Sequence, residues 1–175
     1  ALCLVGSEMC IRDSSLSRAI GESSSTTQSR RGHALMALIR FEAGDPDVAR
    51  SYAKKVLQPN TAGLTKDEVE QHLEARNVLG KMLLADQQWR QAEEHFAKDA
   101  YDATFAGLTT AKLRAEVNRA IAVLYLGNRD EARRMVTAVL EQGKRDGVPT
   151  AVAFALSNLA TIAILEGLYD SALSY

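Results

Sequence analysis

Residues Glu74 to Ala100 read EARNVLGKMLLADQQWRQAEEHFAKDA, two amphipathic helical patterns joined at a short polar turn, Asp86-Gln87-Gln88. In the first pattern Leu79, Leu83 and Leu84 fall on one face of a helix with about 3.6 residues per turn. Beyond the turn Trp89, Ala92 and Phe96 repeat that spacing, with Arg90, Glu93, Glu94 and Lys98 on the opposite face. Gly80 and Ala92 are the small members, expected where the backbones of an antiparallel pair come closest.

The same arrangement recurs along the chain. Ala49, Ala92, Ala132 and Ala172 are separated by 43, 40 and 40 residues, each five residues after a turn residue: Gly44, Gln87, Gly127 and Gly167. A second ladder, Gly21, Gly63, Gly107 and Gly147, has separations of 42, 44 and 40. Two interleaved ladders with a common period mark an array in which each helical pair buries its apolar side against its neighbours.

The organising stretch resembles the tetratricopeptide repeat. The matching residues are Leu79-Gly80, then Ala92 and Phe96; Arg76 stands where the signature has Trp, Leu83 where it has Tyr, and the closing Pro is absent. The resemblance implies an all-α, right-handed α-solenoid of antiparallel helix pairs. Its units are expected at about 28–62, 63–106, 107–146 and 147–175, the last cut short, after a helix remnant and polar linker at 15–27. The period exceeds the roughly 34 residues of the standard repeat. In this it resembles the elongated repeats of multidomain bacterial signalling and transcription regulators, and the chain is expected to be a fragment of such a protein, in the cytoplasm.

Individual helices are legible as well. Pro46 suits the first position of a helix after the turn at Gly44-Asp45. Thr65-Lys66-Asp67-Glu68 has the form of a capping box. Leu126-Gly127-Asn128 and Asp146-Gly147-Val148-Pro149 mark later joints.

Cys3 to Ser14, CLVGSEMCIRDS, resembles an in-frame translation of a transposase-based sequencing-library adapter. Residues 1–14 are therefore set aside as read-through, the alternative being a native N-terminal segment. Both cysteines lie inside this stretch, so no disulfide or thiol chemistry is expected beyond it. Beyond it the charges balance, twenty basic against twenty acidic residues.

A composition of 46% hydrophobic but only 6% aromatic residues suits a helical core. A net charge of -1 supplies no field for nucleic acid or an anionic membrane. No apolar run approaches the 18 or so residues of a membrane span.

Chemistry is sparse. His33, His72 and His95 are scattered, and only Glu68 precedes a histidine by one turn, which is the spacing of ordinary surface pairing rather than of a metal site. No phosphate-cradling glycine loop or nucleophile elbow is present. The reading assigns no catalytic residue, no metal and no cofactor. Glu93 and Glu94 are expected to pair along their own helix, and Trp89 to pack rather than bind.

In solenoids of the resembling family the first helix of each pair lines the concave surface. That register implies a groove for a protein or peptide, lined by Arg31, Ala34, Leu38 and Phe41; Glu74, Asn77, Lys81 and Leu84; Arg114, Val117, Asn118, Ile121 and Tyr125; and Phe154, Ser157, Asn158, Thr161 and Ile164. Asn118 and Asn158, one period apart, bond either a ligand backbone or a neighbouring helix. Two functions are open: a non-catalytic interaction scaffold, or a sensor of a peptide or small ligand that controls an attached effector. Self-association through the cut C-terminal end is also expected.

Overall fold

In the computed structural model, which describes residues 26–57 and 63–175, the helices are α1 (Thr26–Glu42), α2 (Pro46–Leu57), α3 (Lys66–Ala85), α4 (Trp89–Phe105), α5 (Thr109–Tyr125), α6 (Arg129–Arg145), α7 (Pro149–Leu165) and α8 (Tyr169–Ser174). Residues 1–14, Gly21 and most of the 15–27 linker lie outside the described residues. Helix α1 begins at Thr26, two residues before the expected start.

The joints explain both ladders. At the end of α3 the Gln87 N–H donates to the Leu84 carbonyl and the Gln88 N–H to the Leu83 carbonyl, at 3.1 and 2.8 Å. These are the two bonds of a Schellman motif, and they require a left-handed residue between them. The same pair of bonds closes α1, α4, α5 and α7. Gly44, Gly63, Gly107, Gly127, Gly147 and Gly167 all have positive φ; Gln87, at +58°, is the one described non-glycine that does. The carbonyl of the next residue then accepts the first bond of the following helix, as Gln88 does from Ala92 at 2.9 Å and Asn128 from Ala132 at 3.0 Å. Each ladder alanine of the second helices is thus fixed by its joint.

The capping box forms as expected. The Thr65 N–H donates to Glu68 Oε2 at 3.0 Å and the Glu68 N–H to Thr65 Oγ1 at 3.3 Å.

The chain divides into two compact units, the first ending at Leu79 and the second running from Gly80 to Tyr175. In the first, Met36 and Ala37 of α1, Ala49, Ala53 and Val56 of α2, and Leu73 and Val78 of α3 are buried. Arg30 of α1 pairs with Glu68 of α3.

In the second unit the largest core joins α5, α6 and α7 through Leu113, Val117, Val136, Val139, Leu159 and Ile162. A smaller cluster holds Phe96, fully buried, with Ala92 and Ala122. Filling that space with a large aromatic ring is worth about 2–3 kcal/mol of burial. A Cβ on Gly80 would lie 2.4 Å from Phe96 Cζ and 2.8 Å from His95 Cδ2. Gly80 therefore makes room for the Phe96 ring.

Candidate partner-binding face

Two pockets of similar size open on the first helices of pairs, one in each unit. The first, about 250 Å³, lies between Arg31, Ala34, Leu35 and Leu38 of α1 and Glu70, Gln71 and Glu74 of α3. The second, about 260 Å³, lies between Thr110, Arg114 and Val117 of α5 and Thr150, Ala151 and Phe154 of α7. They occupy equivalent places in the repeat: Glu70, Gln71 and Glu74 each precede Thr150, Ala151 and Phe154 by 80 residues, and Arg31 and Ala34 precede Arg114 and Val117 by 83. An arginine on the earlier helix is common to both. The opposite walls differ, with two carboxylates and an amide in the first, one hydroxyl and an exposed phenyl ring in the second.

Of the residues implied by the repeat register, Arg31, Ala34, Leu38, Glu74, Arg114, Val117 and Phe154 line these pockets. Phe41 and Lys81 are half-buried and line neither; Ser157 and Ile164 are exposed.

Several others are placed differently. Leu84 packs on the Phe96 cluster, and Ile121 packs against the main core of the second unit. Asn77 is buried, 6% exposed. The apolar stripe of these helices is wider than a single face, so one position of rotation carries a groove residue into the core.

Tyr125 at the end of α5 stacks on Trp89 at the start of α4, in the preceding pair, ring centroids 4.5 Å apart. Asn158 Nδ2 donates to the Phe154 carbonyl at 2.8 Å, and Thr161 Oγ1 to the Ser157 carbonyl at 3.0 Å. The Asn158 amide thus bonds its own helix, which neither expected role anticipated. Asn118 is half-buried.

The polar wall of the first pocket was missed. Glu70, Gln71, Thr110 and Thr150 sit about one turn before residues the register did select, Thr110 and Thr150 on the first turns of their helices. Tyr101 and Phe105, one turn apart on α4 and 71% and 88% exposed, were missed as well.

Charges bear on structure more than on chemistry. Glu93 pairs with Arg119 of α5 at 2.7 Å, not with a neighbour on its own helix. The Thr65 backbone and hydroxyl, with Arg30 beside it, hold the Glu68 carboxyl below its usual range. Burial, then the Arg30 charge, lowers the pKa of His72; burial and Lys55 lower that of His33. A His72 held neutral next to a Glu68 engaged elsewhere is a packed side chain. Among the described residues no three His, Cys, Asp or Glu side chains gather to hold a metal ion. No helix among them is long and apolar enough to cross a membrane.

No known protein family and no curated protein matches the chain. Among solved structures, the apo form of RapI superposes with a TM-score of 0.70 over 97% of this chain, at 16% sequence identity. The chain spans 59% of the length of RapI. At that identity the likeness concerns the fold alone. It shows an all-α helical-repeat solenoid of the tetratricopeptide type, as the double ladder led us to expect.

Proposed function

We propose that the chain is a non-catalytic protein-interaction module that receives an extended segment of a partner on the first helices of its pairs. The observation that carries this reading is the pair of repeat-equivalent pockets, each the size of one or two side chains. Within each unit, a pocket of that volume suits a side chain of a bound peptide better than a compact substrate. Neither pocket brings a nucleophile and a base together: the first has carboxylates without a hydroxyl or thiol, the second hydroxyls without a base. The elongated period and the likeness to a longer helical-repeat chain further support a place within a larger bacterial regulator, with scaffolding as the role of this region.

The test is selection of random linear peptides displayed on phage against the full chain, followed by fluorescence anisotropy of the peptides obtained. At least one class of peptide should bind with micromolar affinity and lose tenfold or more on Phe154→Ala or Arg114→Glu, in variants whose helicity is unchanged. Failure to select any peptide, or equal binding to wild type and both variants, would overturn the reading.

A further inference from the structure

The place of Gln71 in the repeat is held by Gln28 in the preceding unit and by Ala111 and Ala151, both small and buried, in the two that follow, so the later units need no amide there. Gln71 is 4% exposed, and neither its Nε2 nor its Oε1 has a hydrogen-bond partner. A buried amide left so loses its hydration without recompense. It stands in the wall of the α1–α3 pocket, between Glu70 and Glu74 and across from Arg31.

We propose that this pocket is a subsite for a carboxamide, the side chain of an Asn or Gln of the partner segment; the proposal rests on the peptide-binding reading above. An amide is satisfied on both of its unpaired atoms only by a group that donates and accepts at once. Another carboxamide does this with two parallel bonds, whichever way Gln71 is turned. A lysine would satisfy the oxygen alone, and a carboxylate the nitrogen alone. Charges of both signs stand around the opening, so the pocket sets up no single-sign field to prefer an ion over a neutral dipole. The methylene stem of the guest finds Ala34, Leu35 and Leu38 on the α1 side. A turn of the Gln71 terminal torsion, which is soft, exchanges its oxygen and nitrogen to suit the guest, and because its amide makes no bond where it lies, the turn breaks none.

The experiment uses the full chain labelled with ¹⁵N, the Gln71 side-chain resonance being identified by its loss in Gln71→Met. Butyramide, butyrate and butylammonium, three guests of like shape, are titrated in turn. Butyramide should shift the Gln71 Nε2 resonance and saturate at a concentration at least tenfold below the other two, and the preference should vanish in Gln71→Met. The free Gln71→Met chain should also melt at a higher temperature, since an apolar side chain of similar length removes two unpaired atoms. Equal response to the three guests, as for a pocket that holds only water, would overturn the proposal. So would a lowered melting temperature in Gln71→Met, which would make the amide part of the fold. Neither result touches the peptide-binding reading, which is tested at Phe154 and Arg114 in the other unit.

Discussion

Tyr125, the last residue of α5, lies against Trp89, the first of α4, with ring planes 15° apart and centroids 4.5 Å apart. The stack joins α4 to α5 at one end and leaves Tyr125 55% exposed. Stacked rings contribute about 0.5–1.5 kcal/mol beyond their area. A double-mutant cycle of Trp89→Leu and Tyr125→Leu, read by urea denaturation, should return a coupling energy in that range. Trp89 is the only tryptophan, so its emission should also shift to the red in Tyr125→Leu alone. A coupling near zero would mean that the rings touch without stabilising each other.

Gln87 is the position where a glycine is missing. A side chain in the left-handed region costs about 1–2 kcal/mol, against which glycine loses about 0.5–1 kcal/mol of chain entropy. Gln87→Gly should therefore stabilise the chain by about 0.5–1 kcal/mol. Gly127→Gln, at φ +93°, should destabilise it by at least as much. A loss in Gln87→Gly would show that its side chain makes a contact that outweighs the strain.

Gly80→Ala and Gly143→Ala test close approach. Both exchanges add about 1 kcal/mol of helix propensity. At Gly80 the new methyl would press on the buried Phe96 ring, and overpacking of about 1–3 kcal/mol should win. At Gly143 it would meet Val152 Cγ2 at 3.2 Å, which a small shift relieves. We expect a clear loss of thermal midpoint in the first variant and little change in the second.

Acid should weaken the first unit before the carboxylates titrate. His33 and His72 have pKa values below the ordinary 6.5, so between that value and their folded ones the unfolded chain binds more protons. Stability is then complete above pH 6.5 and falls as the pH drops through the window below it. The contribution of Glu68, whose pKa is lowered from 4.5, is lost only at lower pH. Urea midpoints at pH 7.5 and 5.5 should differ in the wild type and differ less in His72→Gln. Identical differences would exclude His72.

Helix α8 buries none of its residues, and Ile164, Leu168, Tyr169 and Leu173 around it are 54%, 49%, 66% and 86% exposed. Apolar side chains so grouped favour association. Light scattering should show a mass that rises with concentration, and Leu168→Lys with Leu173→Glu should reduce the rise. A monomer at all concentrations would count against this face as a contact.

How much of this was legible follows from what each signal is. The ladders were readable because a left-handed joint admits almost only glycine, and because a helix start packed against its partner admits little beyond alanine. Helix ends came within two residues for the same reason. Long-range partners left no such mark. Arg133 directly follows a ladder alanine, yet it is half-buried and pairs with Glu166; Glu93 finds Arg119 rather than a neighbour on its own helix. Both depend on which helix lies alongside, which no local pattern states. The pocket walls lay half within reach, since the register selected Glu74 and Phe154 but not Gln71, whose place the later units give to alanine.

Glu93 and Arg133 stand forty residues apart, each just after a ladder alanine, at the same position of successive second helices. Their charges are opposite, and so are those of their partners on the first helices that follow, Arg119 and Glu166. Helices of equal length at the same place in a repeat are open to exchange, whether within a folding chain or between two copies. Were α6 to take the place of α4 beside α5, Arg133 would be brought toward Arg119, and Glu93 set beside α7 would find only an acid at its end. The reversed polarity thus works as an address label: it lets hairpins built on one frame dock in one order and makes the transposed order repel itself.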